Sequence, residues 1–252
     1  MEENKDIRKK EEPPEHTLHS KEALVHRYQE FLGEFVYGGI DGSVTTFAVV
    51  AGSAGAGLDS SVIIILGFAN LIADGFSMSV GSYLSNKSER EYFEKHEQIE
   101  HWEVENIPDK EREEIREIYR SKGFEGELLD EVVDVITSDK DRWVDVMMKE
   151  ELGMMKQNKS PLAMGVVTFI SFIMVGFIPL LIYVMDYVTE TEMSHLFLTS
   201  ILLTTIAFIL IGLLKSFVNE KSILIGISET LFLGSAAAIL AYYVGNILEK
   251  II

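Results

Sequence analysis

The sequence predicts an all-α, polytopic membrane protein, with five transmembrane helices and a cytosolic helical insert between helices 2 and 3. Three observations carry this reading. Five runs of apolar residues are each long enough to cross a bilayer, an acid-dense stretch separates the second run from the third, and the basic residues cluster at alternate ends of the runs. A spanning helix needs about 20 mostly apolar residues. Soluble helices of that length keep a polar face, and the third and fourth runs have none. The mean hydropathy of +0.16 hides this division because it averages two different materials.

Residues 1–34 form a polar leader with nine acids and six bases. Span 1 covers residues 35–58, with Asp41 as its only charge, and span 2 covers 61–85, with Asp74 as its only charge. Spans 3 and 4, residues 162–185 and 196–214, carry no charge, and span 5, residues 222–248, carries only Glu229. The expected organisation is a leader at 1–33, transmembrane helices 1 and 2 at 34–86, an acidic metal-binding domain at 87–158, and helices 3 to 5 at 159–252. No cleavable signal peptide is expected, because the first apolar run begins near Phe35 behind a charged leader. Orientation follows from Lys21 and Arg27 before span 1, Lys87, Arg90 and Lys95 after span 2, and Lys215 and Lys221 between spans 4 and 5. The opposite links, 57–60 and 186–194, hold acids and no base. The positive-inside rule then puts the N-terminus and the insert in the cytosol and the C-terminus outside.

The net charge of −18 excludes a nucleic-acid partner, which would need a basic footprint, and fits a protein that handles cations. Without cysteine there is no disulfide and no thiolate metal site, so soft ligation falls to ten Met and six His.

Within the insert, residues 85–160 hold 22 acids against 13 bases. A first helix over 88–106 can continue span 2. Pro108 starts a second, which Gly123 stops; a third runs over about 127–136, and a fourth over 139–153 ends at Gly153. Ile99, Trp102, Ile107, Ile115, Ile118, Tyr119, Leu128, Val132, Val135, Trp143 and Val146 are the expected core. Glu100 and Glu103 share a helix face, as do Glu111 and Glu114, and as do Met147, Met148 and Glu151 on the last helix. Like charges at that spacing repel, and a cation between the helices would turn repulsion into coordination. Carboxylates suit Mg²⁺, Ca²⁺ or Mn²⁺, and thioethers shift preference toward Fe²⁺. Spacing alone equally allows a solvated acidic surface, and places His96 and His101 at the surface rather than among the ligands.

A carboxylate inside the bilayer costs at least a few kcal/mol and normally faces a pathway or a partner. Glu34 lies seven residues before Asp41, on nearly the same face, and Asn70, Asp74 and Met78 recur at four-residue spacing on span 2. This stripe of oxygen and thioether groups could pass a partly dehydrated divalent cation; a protonated Asp bonded to a neighbouring helix is the structural alternative. Glu229 is open between a proton site and a packing contact. Gly38 and Gly42 form a GxxxG pair that permits close helix approach, and a homodimer flanking a shared path would use these small residues together with Asp41.

Three motifs name a family. Residues 41–52 (DGSVTTFAVVAG), residues 73–78 (ADGFSM) with 81–85 (GSYLS), and residues 143–153 (WVDVMMKEELG) resemble the vacuolar iron transporter family, over a match running from about Glu34 to the C-terminus. The resemblance implies a proton-coupled homodimeric exporter, in a lipid bilayer, that moves Fe²⁺ and often Mn²⁺ out of the cytosol. The membrane would be the plasma membrane of a prokaryote or a vacuolar-type membrane of a eukaryote. It implies metal ligation by Glu100, Glu103, Glu111, Glu114, Met147, Met148 and Glu151, and translocation through Asp41 and Met78 with Glu34 at the cytosolic entrance. Some members carry Glu where this chain has Asn70; Asp74, one turn on, could substitute. No prosthetic group is expected, the metal being cargo. Two rival classes are a membrane-bound di-iron oxidase and a membrane-anchored metal sensor. The oxidase needs two Glu-x-x-His pairs, and only Glu192…His195 has that spacing. The sensor leaves Asp41 and Asp74 without a purpose.

Overall fold

The fold was obtained as a computed structural model, which describes residues 15–157, 159–189 and 195–252, with side chains from Phe31 onward. The described residues form helices α1 (Glu15–Gly55), α2 (Ser60–Asn106), α3 (Pro108–Ser121), α4 (Gly126–Thr137), α5 (Lys140–Glu150), α6 (Pro161–Gly176), α7 (Ile178–Thr189), α8 (Leu196–Val218) and α9 (Ile223–Ile251). They divide into a unit of residues Met1–Val80 with Met164–Ile252 and a unit of residues Gly81–Ala163. The fold is all-helical among the described residues, as the apolar periodicity requires, and α2 is a single 47-residue helix, so the first insert helix does continue span 2.

Among the described residues, Phe31–Gly55, Ser60–Asn106, Leu196–Val218 and Ile223–Ile251 are each long and apolar enough to cross a membrane. The run read as one span over residues 162–185 is instead two helices, α6 and α7, bent by 54°. Neither alone spans a hydrocarbon core of about 30 Å, since their rises are about 24 and about 18 Å. The cause of the break is local. Pro179 has no N–H to return to the Val175 carbonyl, and its ring crowds that turn. The chain repairs part of the loss: Phe177 N donates to Ile173 O at 2.9 Å, and Leu180 N donates to Phe177 O at 3.0 Å. The Ser200 hydroxyl, from α8, donates to the Pro179 carbonyl at 2.7 Å. If the bent pair counts as one span, the total is five.

Small residues set the packing of α1. A Cβ on Gly42 would lie 2.9 Å from Phe172 Cα, and one on Gly176 would lie 2.7 Å from Gly42 O, so α1 and α6 meet backbone to backbone. Near its other end α1 meets α9, where a Cβ on Gly245 would lie 2.9 Å from the Gly52 carbonyl carbon. The Gly38–Gly42 pair therefore serves contact within one chain. Apolar clusters fill the rest: Val50, Ile63, Leu71, Phe172, Leu180, Ile182 and Tyr183 in one, and Phe47, Ala51, Phe208 and Ala238 in another. Gly42→Val is expected to abolish recovery of monodisperse protein from detergent, read by size-exclusion chromatography, because the opposing atoms are backbone and cannot rotate aside. Recovery at the wild-type level would contradict the backbone-to-backbone contact.

The second unit has its own core of Val104, Ile115, Leu129, Val133, Ile136, Trp143, Val144, Met147 and Met148. Pro108 occupies the first turn of α3, Asp139 caps α5 by accepting from Arg142 N at 2.8 Å, and Gly153 follows α5 at φ 63°. Four residues expected in this core are exposed instead: Ile99, Trp102, Leu128 and Val135. On α4 the reason is a rotation by one residue. Arg116 binds Asp130 at 2.8 Å, while Arg112 pairs with Asp134 and donates to Thr137 Oγ1 at 2.8 Å. These ties to α3 turn Leu129, Val133 and Ile136 inward.

Candidate functional site

In the second unit, α2 carries Glu100 and Glu103, α3 carries Glu111 and Glu114, and Glu151 is the C-cap of α5. Glu100, Glu103 and Glu111 each place a carboxylate oxygen within 4.8 Å of the others. Two of them are almost wholly enclosed: Glu100 is 4% exposed and Glu111 is 1% exposed. Glu100 Oε2 and both oxygens of Glu111 find no hydrogen-bond donor among the described residues. A buried carboxylate left in this state costs several kcal/mol unless a charge of opposite sign or a proton attends it. The electrostatics of the cluster favour the proton. Burial first, then repulsion from Glu151, Glu103 and Glu114, pushes Glu100 up to about 7. Glu111 is likewise pushed up to about 7, by burial and then by Glu114, Glu103 and Glu100. Glu151 is raised by burial and then by Glu114 and Glu103. The five glutamates expected from spacing therefore share one electrostatic cluster. Its donor set of clustered, under-bonded carboxylates fits a hard or borderline divalent cation.

Met147 and Met148 are buried in the apolar core beside Trp143 and Val144. The family resemblance implies them as ligands, and here they pack; thioether groups tolerate both roles. One residue of the cluster was not anticipated. The Lys110 ammonium lies 2.9 Å from Glu114 Oε1 and 3.8 Å from Glu111 Oε1. Its i,i+4 spacing to Glu114 was the available signal. A separate cavity of about 140 Å³, lined by Glu97, His101, Asp141, Asp145 and Met148, also receives Lys156, which pairs with Glu97 at 3.1 Å.

In the first unit, Asp41 and Asp74 are both half-buried, and their carboxylates lie close enough to repel one another. Glu34 accepts a hydrogen bond from Thr168 Oγ1 of α6 at 2.9 Å. Met78 packs against the larger apolar cluster. The Asn70 amide nitrogen is buried without an acceptor among the described residues, and so is the wholly buried hydroxyl of Thr46. Thr46 was not singled out in the sequence, because a Thr in a span is usually satisfied by the carbonyl four residues back. Glu229, exposed on α9, pairs with Lys215 Nζ at 2.7 Å.

Carboxylates in the apolar helices of one unit and an under-bonded glutamate cluster in the other have the chemistry to meet cations, and comparison with known proteins identifies the family that carries them. The profile of the VIT family matches residues 32–246. The chain belongs to the VIT family. Its relatives include the vacuolar iron transporter of Toxoplasma gondii, 34% identical over 92% of this chain and 79% of that protein. That of Plasmodium falciparum is 32% identical over 87% and 82%. Vacuolar iron transporter 1 of Arabidopsis thaliana is 29% identical over 98% of both chains. Membership bears out the resemblance carried by residues 41–52, 73–85 and 143–153. VIT-family relatives are named as transporters, which agrees with a chain that is not an enzyme and whose apolar helices mark it as an integral membrane protein. Of the one Glu-x-x-His spacing that an oxidase would need, Glu192 lies outside the described residues.

Proposed function

We propose that this chain exports divalent metal from the cytosol in exchange for protons, with Fe²⁺ as the principal cargo and Mn²⁺ as an accepted one. The observation that carries the reading is the glutamate cluster, whose buried oxygens on Glu100 and Glu111 have no donor among the described residues. The names of the relatives supply the metal. The placement of Lys and Arg supports a cytosolic insert and N-terminus, and hence a cytosolic collector made of Glu100, Glu103, Glu111, Glu114 and Glu151, with Met147 and Met148 as softer ligands after rotamer change. Cargo released there would pass Glu34 and cross the membrane at Asp41, Asp74 and Met78. Asn70 would offer an oxygen without charge where some relatives of this type place a carboxylate.

A homodimer completes the path in this reading. Gly38 and Gly42 are already taken up by α6, so the dimer would use the part of α1 around Tyr37, which is 63% exposed. A carboxylate binds either a metal ion or a proton, and that competition is the simplest physical basis for exchange. The test is transport of Fe²⁺, Mn²⁺, Co²⁺ and Zn²⁺ into proteoliposomes under an imposed pH gradient. Metal uptake should rise when the lumen is acidified and should alkalinise the lumen as it proceeds. Uptake indifferent to the gradient would remove the antiport, and no uptake of any metal would remove the transport reading.

A further inference from the structure

We propose that Lys110 is a tethered counter-ion of the glutamate cluster, an ammonium that holds the metal-free carboxylates together and is displaced by the arriving divalent cation. The proposal rests on the metal-collecting reading of that cluster and adds a control on its affinity.

The geometry is specific to this lysine. Its ammonium pairs with Glu114 at 2.9 Å and stands 3.8 Å from Glu111, too far for a hydrogen bond but well inside ion-pair range. Through these two it reaches the group formed by Glu100, Glu103 and Glu111, and its charge is felt by Glu100, Glu103 and Glu151 as well. Other basic residues of the insert are tied elsewhere, Lys140 to Glu105, Lys122 to Glu150, Lys156 to Glu97, and Arg112 and Arg116 to α4. The Lys110 side chain is 64% exposed, so its flexible stem can swing into solvent without any backbone movement.

Charge and coordination number explain why it would leave. An ammonium is one positive charge with three donors, and it cannot serve five carboxylates; the unpartnered oxygens of Glu100 and Glu111 show the shortfall. A divalent ion brings twice the charge and can draw oxygens from several glutamates at once. Once it is bound, the ammonium becomes a like-charged neighbour whose acceptors are occupied. Lys110 thus stabilises the empty cluster, weakens metal binding by the same amount through linkage, and favours release of the cargo. A cluster of five carboxylates with no resident cation would hold a divalent ion more tightly than a transporter can use.

The experiment uses full-length protein in detergent with Mn²⁺ as the probe, comparing wild type with Lys110→Met, Lys110→Arg and Glu111→Gln by titration calorimetry and thermal melting. Lys110→Met should raise Mn²⁺ affinity about five- to tenfold. It should also lower the metal-free melting temperature, and the difference should close at saturating Mn²⁺. Lys110→Arg, which keeps the charge, should stay within about twofold of wild type. Unchanged or weakened binding by Lys110→Met, while Glu111→Gln still weakens it, would overturn the counter-ion role and leave the metal site standing. A melting difference that persists at saturating Mn²⁺ would mean that Lys110 stays in the cluster, and would also overturn it. Failure of wild type and Lys110→Met alike to bind Mn²⁺ would overturn the metal-collecting reading, and the counter-ion with it.

Discussion

Asp41→Asn is expected to reduce metal-dependent proton flux in proteoliposomes to the level of empty vesicles. Asparagine matches aspartate in size, so the contact of Gly42 with the Phe172 backbone is kept and α1 still packs. What is lost is a charge and a proton-binding site. Asp41 is half-buried on α1 with Asp74 as its electrostatic neighbour, so two like charges face each other inside the apolar unit. A divalent cation between them relieves the repulsion, and a proton on one of them does the same in its absence. The variant should therefore bind Mn²⁺ at the insert as wild type does while failing to move it, and calorimetry beside flux separates the two. Unchanged flux would take Asp41 out of the pathway. Asp74→Asn is the informative companion: retained metal movement with lost proton coupling would assign the proton to Asp74, one turn after Asn70.

The outline of this molecule was legible because its parts are written in uninterrupted runs. Asp41 and Asp74 stood out as lone charges in apolar stretches, and the glutamate pairs stood out through three-residue spacing on helices that Pro108 and Gly123 delimit. Four features were not legible, each for a physical reason. On α4 the apolar residues come as doublets, Leu128-Leu129 and Val132-Val133, so two stripes one residue apart fit the pattern equally. The pairing of Arg112 and Arg116 across to Asp134 and Asp130, with the packing of Leu129, Val133 and Ile136 into the core, marks which stripe is buried. Span 3 reads as continuous because hydropathy is blind to the hydrogen bond that Pro179 cannot make. Met147 and Met148 have ligand-like spacing, but helical spacing places a core residue and a ligand on the same face, and both are buried. Lys110 escaped notice because one of 13 bases interleaved with 22 acids looks like ordinary surface charge until its partners are seen.

Glu100 and Glu111 carry the remaining large effect, a dependence of insert stability and metal binding on pH. Both are held up at about 7 in the folded protein, against an ordinary value of 4.5. Between those limits the folded chain keeps protons that the unfolded chain has released. Raising the pH through this window therefore removes stability from the metal-free insert: the contribution is full below about 4.5 and lost above about 7. The melting temperature of the metal-free protein is expected to fall by about 5 °C from pH 5 to pH 8, and saturating Mn²⁺ should restore it at pH 8, since the cation takes over the task of the protons. Glu111→Gln should flatten the pH profile, because an amide needs no proton, and should weaken Mn²⁺ binding by at least about tenfold, because an amide is also a poor substitute for a ligating carboxylate. The same exchange makes binding at pH 6.5 release about one to two protons per metal ion, measurable with an indicator dye in weakly buffered solution. A flat melting profile, or metal uptake without proton release, would show that the cluster is ionised before metal arrives. In that case Lys110 alone would have to hold five carboxylates together, which its single charge cannot do.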